Sequence, residues 1–211
     1  MHSDDVASSR PPAAEKGLQS ASSRQEHESV GSVVRRLRQE KRMTLKELAA
    51  ASGVSAGMLS QIERNLANPS VRVLTGIRQA LDAPLSVLFD ESKHPGNDPS
   101  FVRRADERPV LDLGTMRKEL ITHSGVYNTE IMILHIDPGA SSGGKISYSA
   151  EKGGIVLSGE VTLTVDNETA VLRAGDGFAF DSSRPHGFSN CGEETARVLW
   201  IIGSVQLDRH L

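Results

Sequence analysis

The chain has 211 residues, 37% of them hydrophobic and 24% charged, with a formal net charge of −3. This composition is ordinary for a globular protein and leaves room for one large domain or two small ones. It holds no apolar run of about eighteen residues to cross a membrane, no basic-then-apolar leader, and a single cysteine, Cys191, which rules out an internal disulfide and a cysteine-pair zinc site. The expected compartment is the cytoplasm.

Residues 1–28 are rich in Ser, Ala, Pro, Gln and Glu with almost no large apolar side chains, so a disordered arm is expected there. Residues 29–90 follow with five helical patterns. Val30, Val33, Val34 and Leu37 recur at helical spacing, with Arg35, Arg36 and Arg38 interspersed. Thr44-Leu-Lys-Glu47 is a capping-box signature, opening a short helix that ends near Gly53. Ser55 reads as the N-cap of a third helix, Pro69-Ser70 opens a fourth, and Pro84 opens a fifth carrying Leu85, Leu88 and Phe89.

Residues 91–100 contain two prolines, a glycine and an asparagine, and read as a linker. After it the period changes to that of strands. Lys118–Thr122, Glu130–Ile136, Gly154–Leu157, Val161–Val165, Thr169–Leu172, Gly177–Phe180 and Ala196–Ile202 are separated by turn signals such as Asp137-Pro-Gly139 and Ala174-Gly-Asp-Gly177. Many short strands without intervening helices predict an antiparallel sandwich or small barrel over 101–211. The two halves differ in charge. Residues 29–90 hold nine Lys/Arg against five Asp/Glu (+4), and residues 101–211 hold eleven against fifteen (−4), so the first half is the one suited to a polyanion.

Two short helices hinged at Gly53 make a helix-turn-helix, whose second helix enters the major groove of DNA. Its exposed N-terminal face would present Ser55, Ala56, Gly57, Met58, Ser60 and Gln61, with the Gln61 amide able to pair bidentately with adenine. Arg42, Arg64 and the Thr44 amide at a helix start suit phosphates. Thr44 to Arg64, with Val54-Ser55 and Leu59-Ser-Gln-Ile-Glu-Arg64, resembles the phage-repressor-like (XRE) family, and the likeness runs without gaps over about Gly31 to Asp90. It implies a five-helix bundle and an ion pair between Arg38 and Glu63. Leu45 stands where many relatives carry a DNA-contacting Gln.

The second half resembles the cupin family, particularly the cupin attached to XRE regulators, through Pro138-Gly139, Gly154-Ile-Val-Leu-Ser-Gly159, Gly175, His186 and Asn190. The likeness implies a double-stranded β-helix barrel. Metal-binding cupins supply two His and a Glu from one motif and a His from the next. Here those positions fall on Lys145 and Ser147, or on Ile146 and Tyr148 with the shorter spacing, then on Lys152, leaving His186 as the one donor of the right type. Neither a metal nor another cofactor is therefore expected, and catalysis is not. The alternative is a metal-dependent cupin oxygenase or epoxidase fused to the helix-turn-helix. Lys145, Tyr148, Lys152, Phe178, Phe180 and His186 are the candidate lining of a ligand pocket. Inward lysines would make its ligand anionic, a carboxylate for example; lysines on the rim would be merely solvated. Together these readings describe a DNA-binding transcription regulator with a ligand-sensing cupin. It would be a homodimer or higher homo-oligomer on a palindromic double-stranded operator, since one reading helix covers a half-site.

Overall fold

A computed structural model describes residues 29–89, 98–99, 101–123 and 128–203. The expected arm and most of the expected linker lie outside them. Among the described residues four α-helices come first: α1 (Val30–Glu40), α2 (Leu45–Ser52), α3 (Ala56–Glu63) and α4 (Val71–Ala80). Each starts at a hydroxyl N-cap. The side chains of Ser29, Thr44, Ser55 and Ser70 accept from the amides of Ser32, Glu47, Met58 and Val73, satisfying donors that a first helical turn leaves orphaned. The box at Thr44 is complete, since the Thr44 amide donates back to Glu47 Oε2 at 2.7 Å. α2 ends where Gly53 turns left-handed at φ 68°, a conformation open to glycine at little cost. Val34, Leu48, Leu59, Ile62, Leu74, Ile77 and Leu81 are almost wholly buried where the helices meet.

The fifth expected helix is not an α-helix. Leu85–Leu88 forms one 3-10 turn, closed by the Val87 amide donating to Pro84 O at 3.3 Å. A single turn fixes several dihedrals for one hydrogen bond, and burial of Leu85, Leu88 and Phe89 holds it rather than helical propagation.

Nine strands follow among the described residues: β1 (Val110–Asp112), β2 (Met116–Leu120), β3 (Thr129–Ile136), β4 (Glu151–Ser158), β5 (Glu160–Val165), β6 (Glu168–Arg173), β7 (Gly177–Asp181), β8 (His186–Ser189) and β9 (Ala196–Gly203). They form a six-stranded sheet, β1-β2-β3-β9-β4-β7, and a three-stranded sheet, β6-β5-β8, with antiparallel pairing throughout. The expected closed barrel is therefore two sheets. Beside β8 the closing segment is irregular, touching it only through the bridges Ser141↔Ser189 and Ile146↔His186. Left-handed Gly139, Gly143 and Gly144 interrupt any continuous ladder there. Gly159 makes the tight β4–β5 turn at φ 71°, where a Cβ would sit 2.9 Å from Ala196 Cα.

The helices do not hang free of the sheets. Ser70 and Arg72 pack on the 142–144 loop, and the Arg72 amide, an orphan donor of the first turn of α4, donates to Ser142 O at 2.9 Å. A side chain at Gly143 would collide with Ser70, its Cβ falling 2.5 Å from that of Ser70. One face of α4 (Val71, Leu74, Thr75 and Arg78) thereby lies against the inner face of the six-stranded sheet.

Candidate nucleic-acid interface and ligand cavity

The turn from α2 through Gly53 into α3 has the geometry of a helix-turn-helix, with Leu48, Val54, Leu59 and Ile62 on the buried side. Gly57, Met58, Gln61 and Arg64 are exposed along the opposite side of α3, and Ser55 is exposed at its cap. Ala56 and Ser60 are half-buried flanks. Arg64 folds back so that its Nε donates to Ser60 O at 3.1 Å, leaving the rest of the guanidinium outward. Thr44 is exposed at the start of α2, and Arg42 is exposed in the preceding turn at φ 54°. The expected ion pair ties this face to α1. Arg38 Nε donates to Glu63 Oε1 at 2.7 Å and Nη2 to Oε2 at 2.8 Å, while Nη1 donates to Met43 O at 2.8 Å. The Glu63 hydrogen bonds raise the Arg38 pKa further.

The cavity of the sheet domain is small, about 30 Å³. Lys152 of β4 points into it at 4% exposure, and its Nζ lies 2.5 Å from His186 Nε2. His186 Nδ1 is 2.8 Å from Arg184 O, a pure acceptor, so Nδ1 carries the proton and Nε2 accepts from Lys152. Burial, with Lys118 and Arg78 nearby, pulls Lys152 down to about 6. Burial also pulls Lys118 down to about 8, with Glu130 acting against the shift and Arg78 with it. His186 is lowered too, by burial and then by Lys152. The Tyr148 ring lies 4.3 Å from Lys152 Nζ on one contact and 4.8 Å from the Arg78 guanidinium carbon on another, and burial raises its hydroxyl to about 12.

The shorter motif spacing is the one the fold uses. Ile146 and Tyr148 line the cavity, whereas Lys145 and Ser147 are exposed. Lys145 does not join the pocket: its Nζ donates to Asp166 O at the rim. Glu151 faces outward beside the inward Lys152, as the two-residue period of a strand requires. Phe180 packs at 4.9 Å on His186, and Phe178 at 4.8 Å on Trp200; Phe178, Phe180 and His186 are not themselves in the cavity lining but stand behind Lys152 and Trp200, which are. A divalent ion does not fit these residues. Ile146 has no donor atom, and the free His186 nitrogen is engaged by an amine. His123 is held by Arg103 and Val102 O, and His135 by Glu119, away from the cavity.

Lys118 and Arg78 are cavity residues that motif reasoning missed. Their signal was parity: Lys118 shares a strand face with Met116 and Leu120, and Arg78 lies four residues after Leu74 on one helical face. A larger cleft, about 740 Å³, lies between Ser29–Gly31, Asn65–Pro69 and Asp106–Asp112 and contains none of the expected residues.

Residues 34–88 match the helix-turn-helix family model HTH_3, and residues 132–202 match the cupin domain model Cupin_2. The HTH-type transcriptional regulator SutR of Escherichia coli is 33% identical over 179 residues, spanning 82% of this chain and 93% of SutR. The chain belongs to the XRE-type helix-turn-helix transcriptional regulators that carry a cupin domain. Another E. coli regulator of this family, PuuR, is 26% identical over 166 residues, covering 77% of the chain and 88% of PuuR. An HTH_3 family regulator from Vibrio cholerae has the same fold, with a TM-score of 0.62 at 23% identity over 84% of this chain and 96% of that one. As an XRE-type regulator the chain binds DNA. No helix among the described residues is long and apolar enough to cross a membrane.

Proposed function

We propose that this XRE-type regulator is a cytoplasmic homodimer that reads a palindromic operator with α3 and binds a small-molecule effector, without catalysis, in the cavity around Lys152 and His186. Gln61 reads a base, Ser55, Ala56, Gly57, Met58 and Ser60 fit the groove around it, and Thr44, Arg42 and Arg64 hold phosphates. The observation that carries the sensing role is the buried Lys152–His186 pair at the position where an enzyme of this fold would need metal donors. Burying an amine costs free energy, and its one hydrogen bond to the imidazole leaves further N–H donors that a ligand acceptor would satisfy. Dimerisation through the cupin is supported by an apolar stripe on the outer face of the six-stranded sheet. Ile155 and Leu157 are 38% and 41% exposed there, with Leu199 and Ile201 alongside.

The test is native mass spectrometry of the freshly purified chain, followed by operator titration with whatever small molecule is released. The expected result is a dimer mass with a bound molecule that shifts operator affinity severalfold. A monomer, or a dimer whose operator affinity no released molecule changes, would defeat the corresponding part of the reading.

A further inference from the structure

Two lysines and an arginine converge on a space with room for roughly two waters. Lys118 and Lys152 come from the sheet, and Arg78 comes from α4 of the DNA-binding domain. Glu130 is the carboxylate that acts on this group, through Lys118 and Tyr148. Crowding these three basic groups into a poorly solvated site holds Lys152 largely unprotonated near neutral pH while Arg78 and Lys118 stay charged, and an entering anion would relieve their repulsion and restore the Lys152 charge. The cavity is closed on one side by α4 and the 3-10 turn after it: Val71 and Leu74 of α4 and Leu85 of the turn complete its apolar wall, and Arg78 lies over Tyr148. An organic anion of even a few carbons exceeds the space available. It can enter only if α4 withdraws, and α4 is a rigid part of the helical core through Leu74 and Ile77.

We propose that α4 is the lid of an anion site, so that a small carboxylate entering between Lys118 and Lys152 lifts the DNA-binding domain from the sheet. This rests on the effector reading above and adds the ligand class and the moving part. Displacement is a population shift: the ligand favours the open arrangement by its differential affinity alone, and operator affinity follows where the two arrangements present α3 differently. The 142–144 loop is the contact that must break, since the Arg72 amide and Ser70 both rest on it.

Trp200 is the chain's one tryptophan, lines the cavity, and is 3% exposed, so its fluorescence reports the lid without a known effector. In the full chain, Arg78→Ala should raise the acrylamide quenching constant of Trp200 at least about twofold with helix content unchanged; Arg78→Gln is the second variant if helix content falls. Iodide should quench the opened variant more than acrylamide does, relative to free tryptophan, and adding Lys152→Met should remove that preference but not the acrylamide access. Operator affinity should change at least about fivefold in Arg78→Ala, although Arg78 is outside the reading set. Unchanged acrylamide access overturns the lid, even where a released effector still shifts operator affinity and the effector reading stands. Access without iodide preference overturns the anion class. Access with unaltered operator affinity overturns the link to DNA.

Discussion

Replacing Arg38 by Ala should unfold much of the helical domain. The two side chains of the Arg38–Glu63 pair are 13% and 6% exposed, and both guanidinium–carboxylate bonds are short. Truncating Arg38 leaves the Glu63 carboxylate buried without its partner, which costs about 3–5 kcal/mol when burial is complete. The small residual exposure places the loss near the lower end, about 3 kcal/mol, which is comparable with the whole stability of a domain of some sixty residues. Loss of the Nη1 bond to Met43 O adds to it, because that bond holds the turn leading into α2. The double variant Arg38→Met, Glu63→Leu keeps the volume and removes both charges, so it should recover at least half of the loss. Urea unfolding followed by circular dichroism measures the helices, while Trp200 fluorescence follows the sheet domain in the same samples. A single-variant loss below about 1 kcal/mol, or a double variant at the sum of the two singles, would refute the pair's role.

Arg64→Ala should weaken operator and random DNA alike and lower the salt slope of log K by about 1, the signature of one lost phosphate contact; a loss confined to the operator would put Arg64 among the base readers. Sheet-domain stability should rise with pH from about 6 towards 10, because unfolded lysine near 10.4 binds a proton that Lys152, at about 6 in the fold, does not. Stability is thus lost as pH falls, with a slope of at most about 1.4 kcal/mol per pH unit from this group, and Lys118 adds to it above about 8. Lys152→Met should flatten the Trp200-monitored profile, and equal slopes in both chains would contradict the burial argument. Protein dialysed against iron, manganese, nickel or zinc should retain far less than one equivalent; one equivalent held at His186 would reopen the oxygenase alternative.

The helix starts were legible because capping is local: Thr44, Ser55 and Ser70 sit within four residues of the amides they satisfy. The α3 face was legible for the same reason, since Gly57, Gln61 and Arg64 follow from helical spacing once the cap is placed. The fifth helix was misread because apolar residues at 85, 88 and 89 suit a buried 3-10 turn as well as an α-helix. The cavity was only half visible. Lysine in a strand ordinarily faces water, so only the motif position of Lys152 pointed inward and the rim stayed an equal alternative, and an irregular loop without strand period left Lys145 and Ile146 interchangeable. Helical spacing puts Arg78 on the Leu74 face, but not at the cavity, because that depends on α4 docking on strands many residues away.

The most direct test of specific DNA reading is selection of bound duplexes from a random pool by the purified chain, repeated with Gln61→Ala. The account predicts a two-fold symmetric consensus with half-sites about one helical turn apart, in which Gln61→Ala relaxes one base-pair position per half-site and costs about 1–3 kcal/mol. An asymmetric or absent consensus, or one that Gln61→Ala leaves unchanged at every position, would contradict it.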